Sequence, residues 1–99
     1  MSKSIFTITT LYINNAGIAS TRCVGFEFSK QMAIDMVIGN YGDIHEGNYY
    51  SHCIIEEYGV GMYPHPKSFL WFKWDNDADR FIHCCVPEGE EQVRNYGIG

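Results

Sequence analysis

The sequence is short of basic residues and has no dense run of acidic ones. Seven lysines and arginines stand against twelve aspartates and glutamates, which gives a formal net charge of −5. Because non-specific duplex binding depends on neutralising phosphates with basic side chains, we expect no direct binding to duplex DNA. The longest acidic run, 88–91, is interrupted by Gly89, and this sparseness argues against a mimic of DNA.

Long apolar stretches are also missing. The most apolar part near the start, residues 5–13, is interspersed with threonine and is shorter than a membrane span or the core of a secretory signal. We therefore expect a cytoplasmic protein with no membrane partner.

Cysteines are present, but their spacing is not that of a metal site. Cys23, Cys53, Cys84 and Cys85 include no pair separated by two to four residues, the spacing that lets two thiolates reach one zinc ion. In a reducing compartment such cysteines remain free thiols and pack as small hydrophobic side chains. We therefore expect no metal and no other cofactor.

What the sequence has in abundance is short runs of aromatic and β-branched residues, which are typical of strands. Such runs predict strands at 5–13, 18–28, 50–58, 69–74 and 80–86. Ser29 is a good N-cap, and apolar positions at helical spacing predict one helix from Lys30 to Ile38. The order ββαβββ predicts a single α+β domain, residues 1–99. In it, an antiparallel meander of about five strands packs on one long helix.

The last predicted hairpin carries apolar side chains on both faces. Because alternate residues of a strand point to opposite sides, we assign Phe69 and Trp71 to one face, together with Phe81 of the partner strand. One helix cannot cover both faces of a sheet, so this face predicts self-association as a homodimer or higher oligomer. In the alternative, the sheet curls and buries the face within the same domain.

No complete catalytic motif can be assembled from the sequence. The one conceivable pair of nucleophile and base is Cys53 with His83, on two different strands. Residues 75–79 open like a calcium-binding loop, but the required glycine is Arg80 and the required glutamate is Val86. The sequence therefore predicts a protein that is not an enzyme and has no catalytic residues.

The remaining chemistry favours binding. The segment 41–50 joins the predicted helix to the sheet, and loops on a rigid scaffold carry function disproportionately. Aromatic side chains can stack on bases or form the hot spot of a protein interface. The residues that we predict to bind a partner or ligand are Asp43, Glu46, Tyr49, Tyr50, Trp71, Phe81 and His83.

A structural role for the same loop is the alternative. Asp43 would then cap a turn, Glu46 would accept from backbone amides, and the two tyrosines would fill the edge of the core. Tyr49 and Tyr50 are adjacent, so in a strand they would point to opposite faces.

A series of short blocks carries a resemblance that covers about three-quarters of the chain. The blocks are Val37–Asn40, Asp43–Glu46, Tyr49-Tyr50 leading to Ile54–Glu56, Gly61–Pro64, Trp71–Trp74 and Asn95–Gly99. In this order they resemble small accessory proteins of phages and mobile elements. Proteins of that anti-defence type include anti-CRISPR proteins and sponges for immune signals. The resemblance implies a role as an antagonist of a bacterial defence system, in the cytoplasm of the host cell.

Two mechanisms fit such an antagonist: masking a host defence protein, or sequestering a nucleotide immune signal. A nucleotide sponge usually gathers several basic side chains in one pocket, whereas the seven lysines and arginines are scattered here, so masking is favoured. The alternatives are the nucleotide sponge, a small Cys/His metal protein or enzyme, and an accessory domain without a defence role.

Overall fold

The computed structural model describes residues 4–59, 66–90 and Tyr96. Their elements follow one another as β1 (Ser4–Asn14), β2 (Gly17–Glu27), α1 (Lys30–Ile38), β3 (His52–Gly59), β4 (Pro66–Asp75) and β5 (Arg80–Cys84). The five strands form one antiparallel sheet in the spatial order β2-β1-β3-β4-β5. The predicted α+β class with a five-stranded antiparallel sheet is therefore confirmed. No helix within these described ranges has the length and apolarity needed to cross a membrane.

Two details of the predicted architecture are wrong. The sheet is not a meander, because β3 pairs with β1 and not with β2, its predecessor in the chain. The helix has the predicted bounds but is not long: its nine residues span about 13 Å. The helix contacts β1, β2, β3 and β5, but the strands extend beyond its width of about 10–12 Å, so α1 alone cannot cover the whole face.

Helix α1 begins and ends through specific local contacts. The Ser29 Oγ accepts a hydrogen bond from the Met32 N–H at 3.3 Å, which satisfies one of the unpaired donors of the first turn. At the other end, Gly39 donates its N–H to the Asp35 carbonyl at 2.9 Å. A Cβ atom at Gly39 would lie 2.8 Å from Cδ1 of Tyr41, so the absence of a side chain lets the Tyr41 ring close over the helix end.

The main core lies between α1 and the sheet. Neighbouring strands place Ile8 opposite Ile55 and Cys53 opposite Phe72, so their side chains form rows that face the helix. The buried members of this core are Phe6, Ile8, Ala33, Val37, Cys53, Ile55, Phe72 and Phe81.

The opposite face of the sheet has a second, smaller core around Leu11, Ile54 and Trp71. Two residues after β5 pack against it, Val86 and Tyr96. The Tyr96 ring meets the Trp71 ring edge-on, with centroids 5.5 Å apart. The Tyr96 N–H donates to Oε2 of Glu56 at 3.2 Å, and its hydroxyl donates to Oε1 of Glu90 at 2.8 Å. Both carboxylates are buried, so this covering is part of the fold.

The predicted self-association face is wrong. The register pairs Trp71 with Cys84 and Trp74 with Phe81, so Trp71 and Phe81 lie on opposite faces of the sheet. Their exposed fractions are 2% and 0%. Trp71 is covered from within the same domain, with Val86 and Tyr96 packed against its cluster, while Phe81 packs in the main core. An oligomer through another surface stays a prediction.

Candidate functional site

The connection between α1 and β3, residues 40–50, has an unusual backbone and is called the α1–β3 loop below. Left-handed conformations are concentrated here, and they are costly for side chains other than glycine, with Asn and Asp tolerating them best. The loop residues with positive φ are Asn40 (48°), Gly42 (66°), Asp43 (55°), Glu46 (51°), Gly47 (59°) and Asn48 (76°). Four of these six are not glycine.

Successive tight turns hold this backbone in place. The N–H groups of Asp43, Glu46 and Tyr49 donate to the carbonyls three residues earlier, at 3.0, 2.9 and 3.3 Å. The Asn40 side chain adds a bridge across the first turns, since its Oδ1 accepts from the His45 N–H at 2.9 Å. The loop is therefore hydrogen-bonded within itself at regular intervals.

His45 anchors the loop to the main core. Its ring stacks on the Trp74 ring, with centroids 3.6 Å apart and planes 7° from parallel, and it meets the edge of Phe81 at 5.7 Å. Its Nε2 is 2.9 Å from Oδ1 of Asn48. Only 5% of the residue is exposed, so the loop covers the end of the helix-side face next to α1.

The other end of the loop is tied to β1 and β2. A salt bridge of 2.8 Å joins Arg22 to Glu46, and the Ser20 hydroxyl donates to the Tyr49 hydroxyl at 3.2 Å. The Tyr49 and Tyr12 rings are 5.7 Å apart. Since His45 contacts β4 and β5, the loop runs across one end of the helix-side face, from β5 to β2.

Three of the predicted binding residues come together on the exposed side of this loop. Asp43 and Glu46 are exposed, and Tyr49 has an exposed fraction of 50%. Tyr41, which was not among the predicted residues, is also exposed on this side, at 59%. A cleft of about 380 Å³ lies between this loop and β2, and it is lined by Arg22, Cys23, Val24, Tyr41, Gly42, Asp43, Ile44 and Glu46.

The other four predicted residues lie elsewhere. Tyr50 and Phe81 are buried beneath the loop, and Trp71 is buried on the opposite face of the sheet. His83 is exposed on the edge strand β5. The predicted set is therefore not one surface, because burial removes three of its members from contact with a partner.

The structural alternative for the loop is partly right. The Asp43 carboxylate accepts from the Asn40 amide at 3.2 Å within a turn, but Glu46 bonds to Arg22 and not to backbone amides. Tyr49 and Tyr50 precede β3, so the opposite-face prediction is wrong. Their rings touch edge-on, with centroids 4.7 Å apart.

The conceivable pair of Cys53 and His83 does not form. Both residues are opposite Phe72, one on each side, so strand β4 separates them. His52 points to the other face, where burial and the neighbouring Lys73 ammonium lower its pKa. Among the described residues, no group of three or more His, Cys, Asp or Glu side chains is arranged to hold a metal ion.

The four thiols differ in accessibility, and this predicts graded reactivity. Cys23 and Cys85 are exposed, Cys84 is half-buried and Cys53 is fully buried; burial raises the pKa of both Cys53 and Cys84. Since the thiolate is the reactive form, an aromatic disulfide reagent should modify two thiols of the native protein rapidly. A third should react slowly, and Cys53 only after unfolding.

Cys23→Ser provides the control for that titration, because it should remove one rapid thiol and leave the slow phases unchanged. Rapid modification of Cys53 in the native protein, or fewer than four thiols after denaturation without reductant, would contradict the assignment.

No local pattern indicates the roles of His45, Trp74 and Tyr96. The glycines and asparagines of residues 40–48 do indicate left-handed turns, but their positions do not reveal that a histidine inside the loop reaches the core. In the same way, no local pattern reveals that Tyr96 packs on Trp71 and helps to cover the second face.

What the α1–β3 loop offers chemically is recognition by fixed side chains. Tyrosine presents a large, rigid, amphipathic surface, and a carboxylate adds charge-assisted hydrogen bonds. The Ser51 Oγ lies 2.8 Å from Nδ1 of His52, but among the described residues no carboxylate forms an ion pair with that ring to orient it. Comparisons with models of protein families, with curated proteins and with solved structures found no match to this chain.

Proposed function

We propose that this chain is a non-enzymatic binding protein that masks a protein partner through the exposed side of the α1–β3 loop. The observation that carries the proposal is the loop's fixed and costly backbone. A left-handed residue other than glycine costs about 1 kcal/mol or more, and less for Asn and Asp. The loop contains one such glutamate, Glu46, and three Asn or Asp residues. Such strain persists only where the surroundings fix it, and it is concentrated at functional sites.

Fixing the loop before binding has an energetic benefit. Ordering a mobile side chain at an interface costs about 0.5–1.5 kcal/mol. The Tyr49 hydroxyl is already bonded to Ser20, and Glu46 to Arg22, so a partner would meet side chains whose positions are largely set. This preorganisation supports recognition of one complementary surface.

The charge of the exposed side favours a protein over a nucleotide. Asp43 and Glu46 both line the cleft beside the loop, with Arg22 as its one basic residue, and that guanidinium is paired with Glu46. Carboxylates that line a cleft repel a phosphate group bound in it, whereas they complement lysines and arginines at the rim of a protein interface. Tyr41 and Tyr49 would supply the aromatic contacts typical of hot spots.

A bacterial defence protein is the partner class that we propose. Its support is the resemblance of the sequence blocks to anti-defence accessory proteins of phages and mobile elements. Masking would consist of covering a functional surface of that protein, with no covalent change to either molecule.

The double variant Glu46→Ala with Tyr49→Ala tests the role of the loop. We expect it to weaken binding to the captured partner by about 2 kcal/mol, which is about thirtyfold in Kd, because hot-spot truncations have this size. The partner would first be isolated from lysates of defence-carrying bacteria by quantitative affinity capture, and then titrated in purified form against both proteins.

The matched control is Phe28→Ala with Glu88→Ala, which also removes one exposed aromatic ring and one exposed carboxylate, but outside the loop. It should bind as the wild type does. If the loop variant lost folding while each folded molecule kept its affinity, the loop would be scaffold only. If both variants lost binding equally, the loop would not be the contact surface.

A further inference from the structure

Strand β1 extends beyond the pairing that β3 offers, and one hydroxyl group replaces the missing partner. The register of β1 with β3 ends where Leu11 lies opposite His52, so β3 has no residue opposite Ile13. The Ile13 N–H donates instead to the Ser51 Oγ at 3.0 Å. Ser51 comes directly after the α1–β3 loop, and this bond therefore joins the end of β1 to the junction between the loop and β3.

Three acceptors compete for the proton of the same hydroxyl. Nδ1 of His52 is 2.8 Å from the Ser51 Oγ. The carbonyl oxygens of Leu11 and Ile13 are each 3.5 Å from it. Since a hydroxyl has one proton and an O–H···O bond is normally about 2.5–3.0 Å long, Nδ1 is the well-placed acceptor. The Ser51 Oγ, the Ile13 N–H and Nδ1 of His52 are called the Ser51 clasp below.

The neutral imidazole fits the Ser51 clasp, and the charged imidazolium does not. When Nδ1 accepts the hydroxyl proton, the proton of the neutral ring is on Nε2. Ser51 then donates one bond to His52 and accepts one from Ile13. The imidazolium carries a proton on both ring nitrogens, so the hydroxyl must accept from Nδ1 and turn its own proton towards a carbonyl 3.5 Å away. Protonation thus removes the one well-placed bond that the hydroxyl donates.

The surroundings of His52 also disfavour its charged form. The residue is half-buried, on the face of the sheet opposite α1. Strand β1 places the apolar Leu11 opposite it, and β4 places Lys73 there. Asp75, the next charged residue on this face of β4, has a carboxylate that already accepts from two N–H groups of the following turn. Burial, and then the Lys73 ammonium, lower the pKa of the His52 ring below its usual value of 6.5.

The second core contributes no further charge to this part of the face. Its packed members Cys84 and Tyr96 carry a thiol and a phenol, which are neutral in mildly acidic solution. The Trp71 ring lies edge-on to the His52 ring, with centroids 6.5 Å apart. Within the described ranges, His52 is therefore the group of this cluster whose charge changes at about pH 5–7.

We propose that the Ser51 clasp is a pH-sensitive switch, which is formed at neutral pH and loosens in mildly acidic solution when His52 takes up a proton. Loosening frees the end of β1 from the junction between the loop and β3. Tyr12 lies in this part of β1, with its ring 5.7 Å from that of Tyr49, so the switch also acts on the support of the exposed loop. It needs no partner, and the purified protein alone is sufficient to test it.

Acidification should therefore destabilise the folded state through His52. The unfolded chain binds the proton at the usual pKa of histidine, and the folded chain binds it only at lower pH. The clasp contributes fully above about pH 6.5. As the pH falls from there through the folded-state pKa, the unfolded state binds more protons and this contribution is lost.

An NMR titration of the wild type from about pH 7.5 to about pH 4.5 tests the switch. We expect the His52 ring protons to titrate with a midpoint below 6.5, and the amide signals of Ile13 and Ser51 to shift with the same midpoint. Hydrogen exchange of the Ile13 amide, corrected for the intrinsic rate at each pH, should lose about threefold or more of its protection between about pH 7 and pH 5.5.

Two variants assign the pH dependence to one histidine. His52→Asn keeps an acceptor beside the Ser51 hydroxyl and does not titrate in this range, so its Ile13 protection should change by less than about twofold over the same interval. His83→Ala removes an exposed histidine of β5 and should behave as the wild type does.

Three results would each overturn the proposal: a His52 midpoint at or above 6.5, Ile13 and Ser51 amide signals that do not follow that midpoint, or a pH dependence in His52→Asn equal to that of the wild type. The first two are measured on the wild type and decide the matter even if His52→Asn does not fold.

Discussion

Replacing Trp71 with alanine should lower the free energy of unfolding by about 4 kcal/mol, the usual size for an aromatic side chain removed from a core. The indole is 2% exposed and packs with Leu11 and Ile54 beneath the ring of Tyr96. Its loss would open a cavity on the second face and remove the surface on which Tyr96 rests.

Urea unfolding at two protein concentrations measures this effect and separates two roles for Trp71. A core residue of a monomer gives a loss that is independent of concentration. An interface residue gives a loss that shrinks on dilution, because the wild type then loses the stability that association supplies. Phe28→Ala is the control, since Phe28 is 73% exposed and should change the stability by less than about 0.5 kcal/mol. A loss below 1 kcal/mol for Trp71→Ala would contradict the burial described above.

Replacing His45 with alanine should lower the free energy of unfolding by about 3 kcal/mol. The variant loses the stack on Trp74, the edge contact with Phe81 and the bond to Asn48. It also frees a loop whose left-handed residues are unfavourable without an anchor. Relative to the wild type, amide hydrogen exchange in His45→Ala should accelerate more for residues 40–50 than for the strands of the sheet.

The control for this variant is His83→Ala, because His83 is an exposed histidine on the edge strand β5. It should leave both the stability and the exchange of the loop unchanged. If His45→Ala and His83→Ala unfolded at the same urea concentration as the wild type, His45 would not be an anchor. The proposed partner should also bind His45→Ala more weakly, since its loop is no longer fixed.

Local sequence patterns were sufficient to predict most of the elements. Helix α1 has the predicted bounds because its start and end depend on near neighbours: Ser29 caps the first turn and Gly39 ends the last. The strand runs were also predicted close to their observed positions, since alternation and β-branched composition act within each segment. Strand β3 begins at His52 and not at residue 50, because Tyr49 and Tyr50 belong to the loop.

Three of the candidate binding residues could be predicted from the sequence for a similar reason. Asp43, Glu46 and Tyr49 lie in a polar segment rich in glycine and asparagine, and such a segment remains at the surface wherever the rest of the chain packs. Trp71 and Phe81 were assigned wrongly because alternation within one strand gives two faces but not the register between strands. A shift of one residue in that register moves a side chain to the opposite face.

By itself, the sequence determined the secondary-structure elements of the protein: the strands of an antiparallel sheet, one capped helix from Lys30 to Ile38 and a polar connecting loop. Only the tertiary structure decided what covers each face. The ring of His45 stacks on Trp74 at the end of the helix-side face, and Tyr96 packs on Trp71. Both contacts join residues that are at least 25 positions apart in the chain. Such contacts depend on how the strands pair, and local propensity carries no information about that pairing.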